Sequence, residues 1–449
     1  MHRPVLGQGR RQDPIYYDHF VTGSVDYDVI VAGGGPAGSV AAIQAARLGA
    51  RCLLVEKNAM LGGTTTSAGI SVPGLFHAWG RQVIAGIGWE LVRRAVEMAG
   101  DEMPDFADYH RAPSKLQVRV NGPLYAALLD EAVLDSGATL LLHTMPAAVR
   151  RRGGRWRVTL CGKEGLHDEF ARVLVDCTGD ANLVALGGYG LDCNADLQPG
   201  TLNVRLSGYD PAAVDYARLG DAYRQAVASG ALAASDLAAH QDGGRTFLRQ
   251  RGENAMHVTG IDASTSAGRT AAEISARKTL MRIYSFLRAQ PGLERLTIES
   301  AASECGIRET RTIRGEKRIT AADYVSGKLW EDAVCYSFYP IDVHRPSGAG
   351  IDLRPLAEGT LPTIPRGAML PAGSAWLLAA GRCVAGDQEA NSAYRVQASC
   401  MAMGQSAGAM AALAAASGTE PRQLPMAAIH AALREHGAII PGDLARRLN

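Results

Sequence analysis

The sequence has no C-x-x-C pair, no zinc-type spacing of Cys and His, no internal repeat and no apolar run of the ~18 residues a membrane helix needs. Its eight cysteines, at 52, 161, 177, 193, 305, 335, 383 and 400, are scattered, so neither a disulfide framework, a dithiol relay nor a metal site is expected. Charge of one sign is missing too. With 46 basic against 45 acidic residues the net charge is +1, too small to draw nucleic acid or an anionic membrane. The first twenty residues hold Arg10-Arg11 with no apolar run behind them, which matches neither a secretory nor a twin-arginine signal. A cytoplasmic protein with a small-molecule substrate is expected, and a homo-oligomer is compatible with the sequence.

What the chain does have is bulk and glycine. At 449 residues with 47% hydrophobic side chains it can bury more than one core, which excludes wholesale disorder. Its 51 glycines exceed the usual share of ~7% without a period, which points to tight turns or to backbone lying close to a ligand.

Tyr27 to Ala32 reads as a buried strand, Pro36 to Leu48 as a helix stopped by Gly49, and Arg51 to Glu56 as a second strand. Between the first strand and the helix lies Gly33-Gly34-Gly35-Pro36-Ala37-Gly38, a G-x-G-x-x-G in the context that gives it meaning. Gly33 allows the tight turn, Gly35 lets a diphosphate approach the backbone, and Gly38 lets helix and strand pack closely. The phosphates then meet the free N–H groups and positive end of the helix. Glu56, with Lys57 beside it, ends the second strand 23 residues after Gly33, where a carboxylate can accept the ribose hydroxyls of an adenosine.

A second glycine turn, Leu61-Gly62-Gly63-Thr64, follows. A helix at 123–136 and a strand at 139–143 come next. From Ala147 to Asp176 the period changes to two, with glycine turns at 153–154 and 165, which reads as a three-stranded meander ending in Asp176-Cys177-Thr178-Gly179-Asp180. The stretch 201–345 is Ala-rich and helical, then strand-like. A strand at Trp376 to Ala380 meets Gly381-Arg382, and a helix of small residues runs from about Val396 to Ala416. The expected architecture is α/β: an N-terminal arm at 1–24, a discontinuous Rossmann-like domain at 25–200 and 346–449 carrying a parallel sheet plus the meander, and an inserted α+β substrate domain at 201–345.

On these blocks the chain resembles the flavoproteins of the glutathione-reductase and fumarate-reductase superfamily. The glycine fingerprint, the acid at the second strand end, Gly62-Gly63, the meander starting near Ala147, Thr178-Gly179 and Ala380-Gly381 follow that superfamily's order. More narrowly, Gly74 to Gly80, Gly306 to Arg311 and Tyr339 to His344 resemble a bacterial group known simply as FAD-dependent oxidoreductases. The resemblance implies FAD as the cofactor and a hydride passing between flavin N5 and a small organic molecule. Two departures stand out. Arg382 occupies the place where relatives carry an acid for the ribityl chain, with Asp387 five residues on, and no His lies between Thr64 and Ile70 to bond the flavin, so non-covalent FAD is expected.

The start of the last long helix, at Val396 and Gln397, is expected to face the flavin pyrimidine with Arg395 adding positive charge. Asp342 and His344 alternate on a strand and share a face, so Asp342 can orient His344 as a base, with His77 as a rival. Arg308, Arg311 and Arg314 include at most two on one face that can clamp a substrate carboxylate; surface pairing with Glu304, Glu309 or Glu316 is the other reading. A thiazole-synthase-like, non-redox use of the nucleotide, or a flavin subunit needing a partner for electron transfer, are the alternative functions.

Overall fold

The computed structural model describes residues 26–444 apart from 239 and 348; the expected arm at 1–24 lies outside the described residues. A seven-stranded mixed sheet organises the larger part. Its strands are β1 Asp26–Ala32, β2 Cys52–Val55, β3 Thr139–Leu141, β4 Met145–Arg152, β5 Arg155–Gly162, β6 Gly165–Asp176 and β7 Leu377–Ala379. They lie in the order β3-β2-β1-β6-β5-β4, with β7 also paired to β6. β4, β5 and the first half of β6 form the antiparallel meander, and β6 then runs on in parallel between β1 and β7.

β1 and β2 are buried on both faces, which is why they read as continuous apolar runs rather than as alternation. The meander keeps one wet face, so Trp156, Val158 and Leu160 are buried while their neighbours are not. In register, Ala32 faces Val55 on one side and Asp176 on the other, and Asp176 faces Ala379. The parallel strands therefore end level, and the segments after Ala32, Val55, Asp176 and Ala379 leave the sheet at one edge. In open α/β sheets ligands bind outside this carboxyl edge.

Helix α1, Pro36–Arg47, starts with Pro at its first position, where the missing N–H costs nothing, and stops before Gly49 at φ +83°. Helix α2, Gln397–Ser417, lies across it. Both are small-residue helices buried almost all round, as sandwiched helices are.

A smaller hydrophobic core is built from Leu202 to Cys305, including the helix Ser266–Arg288 and the short strand pairs of Val204–Ser207 with Thr297–Ala301 and of Gly200–Thr201 with His257–Val258. Ile313, Ile319, Tyr324 and Ile341 belong to the larger core instead. The two hydrophobic cores thus divide near residue 305, because the later strands pair with and pack on the larger one. Among the described residues no helix is long and apolar enough to cross a membrane.

Candidate active site

A cavity of about 300 Å³ opens at the carboxyl edge of the parallel strands and is lined by Gly33, Gly35, Pro36 and Ala37. The three fingerprint glycines have different reasons to be glycine. At Gly33, φ is +95° and a Cβ would stand 2.5 Å from the Cys177 carbonyl oxygen. At Gly38, which does not line the cavity, a Cβ would stand 1.7 Å from the Gly33 oxygen. A Cβ on Gly35 would meet nothing within 4 Å. Protein packing demands the first and third; only the space beside the second is reserved for something else. That is the fit expected of a diphosphate seated on the unpaired amides of α1.

The second glycine turn closes over the first. Gly63, at φ +47°, brings its backbone so near that a Cβ would lie 3.0 Å from Gly35 Cα, and Gly63 and Thr64 line the cavity. Gly62 sits behind the wall at φ +98° and does not line it. Glu56 lines the cavity with both oxygens anchored: Gly34 N donates to Oε2 at 2.7 Å and Asn58 N to Oε1 at 2.8 Å. Burial raises its pKa, opposed by these two amides and by Lys57. Lys57, also a lining residue, donates to Glu304 at 2.6 Å, which ties the smaller unit to the end of β2. Met145 and Pro146 line the cavity beside this end; Ala147 does not.

Thr178, Gly179, Gly381 and Arg382 line the middle. Buried Asp176 holds this turn by accepting from Thr178 N at 3.0 Å, Thr178 Oγ1 at 2.7 Å and Val184 N at 3.0 Å. Arg382, in the position of the missing ribityl acid, donates from Nη2 to Asp180 Oδ1 at 2.6 Å and from Nη1 to Thr310 Oγ1 at 3.0 Å. Asp180 also lines the cavity, so a carboxylate reaches this region from the opposite loop. Desolvation in its partly buried position would raise its pKa, but Arg382 and the hydrogen bond from Thr310 keep it below the usual range. Asp387 is spent elsewhere: its side chain accepts from Ala390 N and from Ala321 N, each at 2.8 Å, and it does not line the cavity.

At the far end the cavity meets Arg308, Tyr339, Asp342, His344, Arg395, Val396 and Gln397. Val396 is the residue before α2, so the start of that helix faces the cavity; Gln397 is held by Thr65 Oγ1 and by its own donation to the Ile70 carbonyl at 2.8 Å. The strand Ile341–His344, paired with Ile351–Arg354, puts Asp342 and His344 on one face. His344 Nε2 stands 3.5 Å from Asp342 Oδ2, and His344 Nδ1 lies 2.9 Å from His257 Nε2. A carboxylate can only accept, so it favours the proton on His344 Nε2; Nδ1 must then accept from His257. Burial and the charge of Arg308 lower the His344 pKa to about 4, and the ring is neutral at pH 7. Its acceptor nitrogen is already engaged, which the expectation of a free base did not include.

His77 does not line the cavity. Its ring stacks on Phe106 at 3.7 Å and 4°, meets Trp89 edge-on, and leaves Nδ1 buried without a partner. Burial lowers its pKa from 6.5 to about 4. Between these values the unfolded chain binds a proton that the folded chain does not, so stability present above pH 6.5 is lost as pH falls toward 4. His77→Phe keeps the stack and removes the titration. It is expected to lose less melting temperature than wild type between neutral pH and about pH 5. Parallel losses in the two proteins would show that His77 contributes nothing to acid lability.

Of the other arginines, Arg311 donates to the Ser264 carbonyl and Arg314 pairs with Asp192 at 2.8 Å; neither lines the cavity. The glutamates proposed as their partners are bound elsewhere: Glu304 to Lys57 and Arg269, Glu309 to Asn194 and Gln388, Glu316 to Arg422. His257 escaped sequence reading altogether, because 87 residues separate it from His344 and no local pattern marks it. Asp180 and Tyr339 stood inside quoted motifs, but nothing in their neighbours indicated a part in the site.

The sequence profile described as "FAD dependent oxidoreductase" matches residues 28–433. Mitochondrial dihydrolipoyl dehydrogenase of Caenorhabditis elegans is 59% identical over 44 residues, 10% of this chain and 9% of that protein. Sarcosine oxidase subunit alpha of a Corynebacterium strain is 50% identical over 56 residues, 12% of this chain and 6% of that one. The chain thus matches about a tenth or less of these curated relatives. Among solved structures, a geranylgeranyl bacteriochlorophyll reductase-like protein of Thermoplasma acidophilum is similar over 92% of this chain and 84% of its own, at 15% identity and a TM-score of 0.43. The OxyS anhydrotetracycline hydroxylase of Streptomyces rimosus covers 92% and 66%, at 13% identity and a TM-score of 0.44. With the profile spanning nearly all of the described residues, the chain belongs to the family of FAD-dependent oxidoreductases.

Proposed function

We propose that this FAD-dependent oxidoreductase holds its FAD non-covalently and exchanges a hydride with a small organic substrate at the Asp342–His344 end of the cavity. One observation carries the reading: a single cavity joins the cradle at Gly35 and Glu56 to the polar cluster of Tyr339, Asp342, His344 and Arg395. When bound, FAD supplies the hydride acceptor or donor. The chain's own residues do the rest. Gly33, Gly35, Pro36, Ala37, Gly63 and Thr64 seat the diphosphate, Glu56 takes the adenosine ribose, and Thr178, Gly179, Asp180, Gly381 and Arg382 lie along the middle. The first amides of α2, at Val396 and Gln397, with Arg395, face the end where negative charge is to be stabilised. Asp342 accepts the Nε2–H of His344 and His257 donates to its Nδ1, so the ring is a fixed neutral group with no free lone pair, and it helps orient a substrate oxygen or nitrogen rather than remove its proton. The absence of His from Thr64 to Ile70 supports a non-covalent flavin. The eight cysteines are all free, which suits the cytoplasm.

The reading is tested on the purified yellow protein under anaerobic conditions, with alcohols, amines, sugars, 2-hydroxy acids and NAD(P)H added in turn. Bleaching by one of them is expected, and acid precipitation is expected to leave the pellet colourless. A flavin reducible by dithionite and by a partner protein, but by no small donor, would favour the electron-transfer subunit instead. Membership of an oxidoreductase family weighs against the non-redox alternative.

A further inference from the structure

We infer that the substrate is an organic carboxylate whose anionic group is received between Arg308 and Arg395; this rests on the oxidoreductase reading above and narrows it to a substrate class. The charges lining the cavity are matched everywhere except at this end. Lys57 and Arg269 face two carboxylates, Glu304, met at 2.6 and 3.0 Å, and Glu56 beside Lys57, and Arg382 meets Asp180 at 2.6 Å. At the far end two guanidinium groups face one carboxylate, Asp342, which is already shared with His344 at 3.5 Å and with Arg395 at 3.8 Å.

Arg308 is the unmatched one. Its side chain is buried, and among the described residues it makes no ion pair. Its hydrogen bonds run to neutral oxygens: Nη1 to the Pro199 carbonyl at 2.8 Å and Thr201 Oγ1 at 2.7 Å, Nη2 to Asn254 Oδ1 at 3.3 Å. The pairing of Gly200–Thr201 with His257–Val258 sets Thr201 against Arg308 and His257 against His344, so one ladder positions both groups. The adjacent Glu309 offers no relief, since it points to Asn194, Gln198 N and Gln388. Arg395 donates from Nη2 to the Asp342 carbonyl at 3.1 Å, while its Nε is buried with no partner.

A buried guanidinium without a counter-ion is costly, and a second one nearby adds to the cost. Burial and Arg395 lower the Arg308 pKa to about 9, with Asp342, which it does not contact in an ion pair, and Tyr339 opposing only in part. One carboxylate removes the imbalance, and guanidinium presents the parallel donors that carboxylate geometry accepts. A neutral alcohol or amine would leave the excess charge in place. With the anion fixed there, the rest of a small acid stays in the same cavity end, which His344 and Tyr339 also line.

The FAD-loaded protein is titrated with acetate, lactate and benzoate and with the matching amides, following the visible flavin band and the heat of binding. At least one carboxylate is expected to bind about tenfold more tightly than its amide. Arg308→Gln, still retaining flavin, is expected to lose about tenfold in that affinity, and Arg308→Lys less, because it keeps charge but not the fork. Should Arg308→Gln not fold, Arg308→Lys decides: unchanged carboxylate affinity overturns the inference. Equal binding of acids and amides overturns it too. So does an Arg308→Gln protein whose flavin potential shifts while carboxylate affinity stays, since the guanidinium would then serve the reduced flavin. Protein that takes up no FAD fails the oxidoreductase reading instead, which separates the two.

Discussion

Gly35→Val is expected to give a folded protein that no longer retains FAD, with affinity down by at least about a hundredfold, or about 2.7 kcal/mol. The backbone at Gly35, φ −71° and ψ −170°, is extended and open to any residue, and an added Cβ meets nothing within 4 Å. The new side chain therefore takes cavity space, not protein space. Its melting temperature should equal that of wild type stripped of flavin, the proper reference because bound cofactor itself stabilises. Gly38→Ala makes the opposite case from the same motif. Its Cβ would fall 1.7 Å from the Gly33 carbonyl oxygen, so α1 and the turn cannot both stay in place and soluble protein is expected to fall sharply. Normal flavin content in Gly35→Val would mean that the diphosphate does not pass over residue 35.

The second large effect is expected at Gly404. A Cβ there would lie 2.0 Å from the Ala37 carbonyl oxygen, and one turn on, a Cβ at Gly408 would lie 2.2 Å from the Ala41 oxygen. Two glycines four apart on α2 thus receive two carbonyls four apart on α1, so the helices touch backbone to backbone along one ridge. The obstacle is main chain, not a movable side-chain tip, and the helices must separate. Gly404→Val is expected to lose about 3 kcal/mol or more of stability. Flavin retention should fall with it, because Ala37 belongs to the first turn of α1 that carries the diphosphate seat. Thermal melts alongside flavin content check this; a variant as stable and as yellow as wild type would remove the close contact from the account.

The two glycine pairs show how far local pattern reaches. Gly33, Gly35 and Gly38 are separable by role in the sequence alone, since a tight turn, a phosphate approach and a helix–strand contact each occur within a few residues of chain. The sheet, the meander and α1 and α2 were legible for the same reason: buried parallel strands and alternating strands leave different periods, and glycine or proline marks where each element stops. For Gly404 and Gly408 the sequence showed small residues at helical spacing but not the surface they meet.

The middle of the cavity shows where such reading ends. The lack of an acid after Gly381 is visible in the sequence, and Asp387 is the nearest carboxylate along it; the fold spends Asp387 on a helix cap and brings Asp180, 202 residues from Arg382, against that arginine. His77 looked like a site residue because its aromatic neighbours are local, yet those same rings hold it in the core.

The nucleotide-binding architecture and the FAD cofactor are legible in the sequence, along with the residues proposed to seat it, because strand, turn, helix and acid lie within one short β-α-β stretch whose spacing is set by backbone geometry. The proposed substrate end depends on the tertiary fold. Thr201, His257, Arg308, Asp342, His344 and Arg395 come from segments far apart in the chain, and whether a buried arginine there has a counter-ion depends on which loops pack together, a long-range matter that no local period encodes.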